Sequence, residues 1–196
     1  MFNRSLRKTL TFLLLAGVTL SAHADWYLDG ESSRLSFIST KNANISEVLR
    51  FLVLHGKVDA NGLAEVEVEL ESVNSGIPLR DERMRKELFE IQTFPEALIT
   101  AQIDLRPIND LAPGAQLELR LPLTVNLHGK QHAYNAELLA TRLDDRRFQV
   151  VTLQPLVINA EDFDLAPGLE ALRKIAGLSV ISLSVPVSAV LIFTAR

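Results

Sequence analysis

Residues able to do chemistry are sparse in this chain. His128 and His132 flank the Gly129-Lys130-Gln131 stretch and could clamp a metal across a hairpin. No carboxylate or third imidazole follows at a spacing that would complete a tetrahedral set. His55 alternates with Val53 and Lys57 on a mixed strand face, where a surface histidine is the simple reading. Glu65, Glu67, Glu69 and Glu71 put four carboxylates on one side of a strand. A hard cation could sit among them, but such a row is first of all a solvated face. The pair Arg80-Asp81 reads as a helix-start and ion-pair device, because no base or nucleophile stands beside it. The chain has no cysteine, no Gly-x-Ser-x-Gly, no His-Glu-x-x-His and no glycine-rich phosphate loop. The expectation is therefore a non-enzymatic protein with no metal and no cofactor.

The elements that would carry these residues are strands. From Leu117 to Leu127 every odd position is apolar, a period of two that one face of a helix cannot produce. The same alternation recurs at residues 64–71, 99–105 and 181–189. Strands are expected at residues 26–28, 34–40, 49–58, 64–73, 97–105, 116–128, 131–143, 147–159 and 178–194, a count of about eight. Asn61-Gly62 and Gly129-Lys130 supply the tight turns. Pro186 cannot donate to a ladder, so it belongs at an edge or bulge. Two segments change period: residues 81–91, with Met84, Leu88 and Ile91 on one face and Glu82/Lys86 and Arg83/Glu87 as i,i+4 pairs, and residues 168–176, stopped by Gly177. Ala64, Val66, Val68 and Leu70, with Leu119, Leu121 and Val125, should point inward. Several long one-sided strands close into a barrel or pack as a sandwich.

Arg4, Arg7 and Lys8 followed by an apolar stretch and Ala22-His23-Ala24 have the form of a secretory signal. Residues 1–24 are expected to be removed, leaving residues 25–196 as a single periplasmic domain whose core holds the fold without disulfides. Its 17 basic and 24 acidic residues give a formal charge of −7, which argues against nucleic acid and against adhesion to anionic lipid surfaces. No later segment is apolar for long enough to make a membrane-spanning helix.

One stretch is more specific. Arg80-Asp81, Phe89, Phe94-Pro95 and the strand starting near Ile99 resemble, in order and spacing, the YceI-like family of secreted lipid-associated barrels. Arg83 stands where that pattern has histidine and Met84 where it has leucine. Leu123-Thr124-Val125 through Gly129 is similar to the family's strand and turn, and Asp162-Phe163-Asp164 to its Asp-Phe-Gly. Ala160 stands in place of a usual arginine, and the early strand Phe37-Ile38-Ser39-Thr40 lacks a histidine. The resemblance covers residues 26–193 and marks a divergent member.

The resemblance implies a lipocalin-like, eight-stranded antiparallel β-barrel with an elongated apolar interior and an isoprenoid or other long apolar lipid as ligand. The apolar lining would be Phe37, Leu52 and Leu54 on the first strands, with Val66 and Val68 on the next. Met84, Leu88, Phe89 and Phe94 would stand at the mouth. Ile99, Ala101, Leu119, Leu121 and Val125 would lie deeper. Three other readings compete: an integral outer-membrane barrel, a barrel filled by its own side chains that docks an envelope protein partner or dimerises, and an enzyme acting on small apolar molecules.

Overall fold

The computed structural model describes residues 25–195. The expected leader and its cleavage after Ala24 lie outside the described residues. Alternation becomes strand as expected. In chain order the strands are β1 (Trp26–Leu28), β2 (Arg34–Lys41), β3 (Ile45–Phe51), β4 (Leu54–Val58), β5 (Leu63–Glu69), β6 (Val73–Asn74), β7 (Glu96–Gln102), β8 (Gln116–Leu127), β9 (Lys130–Asp144), β10 (Arg147–Thr152), β11 (Leu156–Asn159) and β12 (Ser184–Ala195). The helices are α1 (Pro78–Arg83), α2 (Arg106–Asn109) and α3 (Ala166–Ile175).

Eight of these strands close on themselves in the order β1-β4-β5-β7-β8-β9-β10-β12, and the ring shuts where β12 returns to β1 with Trp26 opposite Ala195. All pairings are antiparallel, so the fold is the eight-stranded barrel. The long β12 does double duty. Its last residues pair with β1 and β10, while Ser184–Val190 pair with β11 and β2. Through β2 and β3 the wall is thereby extended upward, beyond the β4–β5 hairpin that marks the lower end. Val66 and Val68 on β5 are buried, and Glu65, Glu67 and Glu69 alternate with them on the outside. On β8, Glu118 and Arg120 are exposed while Leu121 and Val125 are buried. A polar exterior around an apolar interior is the reverse of a membrane-spanning barrel. Among the described residues no helix is long and apolar enough to cross a membrane.

Several boundaries differ from expectation for local reasons. The stretch at residues 49–58 is two strands, not one. Leu52 and Val53 break it, their N–H groups bonded to Ser72 Oγ at 3.1 Å each. The break shifts the inward set from odd positions (Leu49, Phe51) to even ones (Leu54, Val58), and Leu52 is left 53% exposed. The segment at residues 147–159 is likewise split, between β10 and β11. The strand expected from Ala97 ends at Gln102, and the short, unexpected α2 begins at Arg106 with Pro107 in its first turn. The first helix starts early, at Pro78, then widens into a π turn over Met84–Leu88 in which Phe89 N–H reaches Met84 C=O at 2.9 Å. That wider turn takes Glu82/Lys86 and Arg83/Glu87 out of i,i+4 register, and Lys86 contacts Glu87 instead at 3.3 Å. The last strand begins at Ser184. Pro186 lies one residue before β2 pairing starts at Val187, which makes it a local edge.

The β8–β9 turn is His128-Gly129, both at positive φ (52° and 73°), the mirror-image turn that suits twisted hairpins. Phe94 lies against it; a Cβ on Gly129 would come within 2.9 Å of its ring. Asp164 adopts φ 55°, a left-handed conformation that glycine takes without strain. This accounts for glycine being the usual residue of the resembled motif, and Asp164 is further held by Lys130 at 2.9 Å.

Candidate functional site

The barrel is hollow. A cavity of about 570 Å³ runs through it, walled almost entirely by apolar side chains. Side chains that alternate along β8, from Leu119 through Leu121, Leu123 and Val125 to Leu127, all reach the wall. The eight steps from Leu119 to Leu127 cover roughly 27 Å, or about 20 Å along the axis of a barrel whose strands tilt near 40°. The interior is therefore not filled by its own side chains, which corrects the filled-interior expectation.

The lower end is closed. Trp26 meets Phe148 edge to face at 4.8 Å, and Ile108 of α2 is buried beside the same space. The upper end is crossed by helices. Met84 and Leu88 of the π turn and Leu169, Leu172 and Ile175 of α3 face the cavity. The two segments lie so close that a Cβ on Gly168 would be 2.5 Å from the Glu87 carbonyl oxygen and 2.8 Å from Leu88 Cα. Phe37, Phe51 and Phe89 form an aromatic stack there, with centroids 5.3 and 5.7 Å apart.

Of the expected lining, Phe37, Val66, Val68, Met84, Leu88, Phe89, Ile99, Ala101, Leu119, Leu121 and Val125 stand on the cavity wall. Three do not. Leu52 points to solvent because of the break described above. Leu54 is buried in the surrounding core without reaching the wall. Phe94 is carried outward by the reversal at Glu90 (φ 48°) and packs on His128 with centroids 4.4 Å apart. The expectation missed Trp26 and Phe148 at the floor, α3, and the inward residues of β12 such as Val187 and Leu191. The β12 residues were signalled by their alternation.

The charged residues of the wall are Lys41, Glu47, Arg80 and Arg83, all at the upper mouth. Glu47 Oε2 accepts from Lys41 Nζ at 2.8 Å and from Arg80 Nη1 at 2.6 Å. The Lys41 hydrogen bond, opposed by desolvation and supported by Arg80, holds the Glu47 carboxyl below its ordinary range. Arg80 and Asp81 do not pair with each other. Arg80 Nη2 donates to Ser75 C=O at 2.8 Å, while Asp81, 4% exposed, accepts from the Ser75 N–H and hydroxyl.

The histidines go to separate partners. His128 Nε2 lies 3.6 Å from Glu90, His132 Nε2 lies 3.7 Å from Asp162, and His55 meets Glu69 at 2.9 Å. Among the described residues no group of three or more histidine or carboxylate side chains is placed to hold a metal. Tyr134 donates to Asp162 at 3.3 Å, and burial, reinforced by that carboxylate, pushes the phenol up to about 12.

A closed antiparallel barrel with a blind, apolar, helix-crossed interior defines a small-ligand-binding barrel. The YceI-like domain family matches residues 26–193, and the chain belongs to that family. It is similar to a polyisoprenoid-binding domain from Saccharophagus degradans implicated in plant cell wall breakdown. The two share 38% identity over 87% of this chain and 98% of that one, with a TM-score of 0.86. BcnA of Burkholderia cenocepacia has the same fold at 16% identity and a TM-score of 0.66, over 84% of this chain and 98% of its own. No curated protein matches the chain.

Proposed function

We propose that this protein is a non-catalytic binder or carrier of an extended apolar lipid of the polyisoprenoid class, working in the periplasm after cleavage at Ala24. The observation that carries the reading is the hollow interior, a blind apolar cavity of about 570 Å³ walled along the length of the barrel. A polar ligand would find little on that wall to bond. A tail gains about 0.8 kcal/mol for each methylene buried, so ten supply roughly 8 kcal/mol before ordering costs. The 38%-identical Saccharophagus domain, described as polyisoprenoid-binding, supports the ligand class. The periplasmic placement rests on the basic, apolar and Ala22-His23-Ala24 order of the leader.

The test is titration of a fluorescent polyprenyl probe against the wild type and against Ala101→Trp. Ala101 stands on the wall between Ala64 and Leu123 of the neighbouring strands, where an indole would fill the bore. Saturable binding by the wild type that the folded variant loses is the expected result, and lipid carried through purification would be seen by native mass spectrometry. No saturable binding by the wild type would overturn the reading. N-terminal sequencing that found Met1 on the exported protein would overturn the cleavage.

A further inference from the structure

We propose that the cavity mouth is an anion site, and that the ligand is an amphiphile whose tail fills the barrel while Lys41, Arg80 and Arg83 hold its anionic headgroup. This rests on the lipid-binding reading and adds the charge of the head. The wall itself carries three cations against one carboxylate, Glu47, in a chain whose formal net charge is −4, and the nearby Asp81 is buried off the wall with its carboxylate taken up by Ser75. The charges are also gathered at one end, whereas the rest of the wall is uncharged.

Donors remain free there. Glu47 uses one N–H of Arg80 and the Ser75 carbonyl another, but Arg80 Nε is buried and has no partner. Arg83 lies three residues further along α1, on the same helix face and on the same wall, and its side chain makes no hydrogen bond or ion pair among the described residues. A buried guanidinium N–H without an acceptor is costly, and a planar fork of such donors fits the oxygens of a phosphate or a carboxylate. A hydroxyl or amide head would leave the Arg83 guanidinium without a counter-charge beside an apolar tunnel. Anionic oxygen at the end of a tail satisfies the donors and the charge together.

The experiment uses tail-matched pairs: a polyprenyl phosphate with the polyprenol of equal length, and a fatty acid with its alcohol. Each displaces the fluorescent polyprenyl probe from the full-length protein. In at least one pair the anionic member should bind about tenfold tighter at low salt, and the preference should shrink as salt is raised. The pair that shows it identifies phosphate or carboxylate. Arg83→Gln, which breaks no internal side-chain bond, should cut the preference at least about threefold. Lys41→Gln, which leaves Glu47 paired with Arg80, should do the same. Equal affinities within both pairs, or a preference that survives both substitutions, would overturn the anion site while leaving lipid binding intact. Failure of every member to displace the probe would overturn the lipid-binding reading itself.

Discussion

Val68→Asp tests the dryness of the barrel wall at mid-height. Val68 is 2% exposed, lies between Leu54 of β4 and Ala97 of β7, and reaches the cavity. Losing the valine side chain from that site costs about 2 kcal/mol of transfer free energy. A carboxylate there has no cationic partner, because the charged residues of the wall are at the mouth. It escapes by taking a proton, and at pH 7 that costs about 1.36 kcal/mol for each of roughly three units above its normal pKa, or about 4 kcal/mol. The sum, about 6 kcal/mol, would consume much of the ~5–15 kcal/mol by which a domain of this size is stable. The folded variant holds a proton that its unfolded chain releases, so the loss grows as pH climbs from about 4 towards 7 and retreats to about 2 kcal/mol near pH 4. Urea unfolding followed by circular dichroism at both pH values reads this directly. A loss near 2 kcal/mol that does not change with pH would refute the reasoning, since the carboxylate would then be reaching water.

Glu67→Gln, one residue away on the outer face, is the counterpart. Burial first and Glu96 second raise the Glu67 carboxyl. Removing the charge should therefore stabilise slightly, by less than about 1 kcal/mol, above the carboxylate range, with the gain vanishing as pH falls beneath it; a loss in urea unfolding would contradict this. Gly168→Ala should destabilise by about 1–3 kcal/mol, because the new methyl meets the backbone at Glu87 and Leu88 and only a shift of α3 relieves it; an unchanged urea midpoint would count against that packing. In a Tyr27→Phe background, phenolate absorbance should place Tyr134 at about 12, and Asp162→Asn should lower it only partly, since burial is the larger cause. No movement on Asp162→Asn would remove the carboxylate from the account.

Strand direction and facing were legible wherever alternation ran unbroken. The inward faces of β5 and β8 follow from counting by twos, because a sheet side chain has only two directions to choose from. What could not be read was interruption. Nothing between Leu49 and Val58 announces that Ser72, twenty residues on, captures the N–H groups of Leu52 and Val53 and reverses the count. Phe94 was misplaced for a similar reason: its direction is set by a left-handed residue four positions back, at a glutamate that carries no mark of it. The mouth cations lie on separate elements, Lys41 on β2 and Arg80 and Arg83 on α1, and Glu47 of β3 joins Lys41 to Arg80. The β2–β3 hairpin sets Lys41 near Glu47, and the pairing of β6 with β3, across a long intervening stretch of chain, brings α1 to them.

The floor made by Trp26, Phe148 and Ile108 has a kinetic meaning. A tunnel open at both ends lets one chain push out another, but a blind one must be emptied backwards before it can be refilled. Each further methylene dragged out past the π turn and α3 raises the barrier by about 0.8 kcal/mol, close to a fourfold longer residence. For a lipid of the kind proposed, ten buried methylenes would slow spontaneous release by roughly a million-fold. A barrel closed at the bottom is a timer as well as a container, and the length of the tail sets the clock.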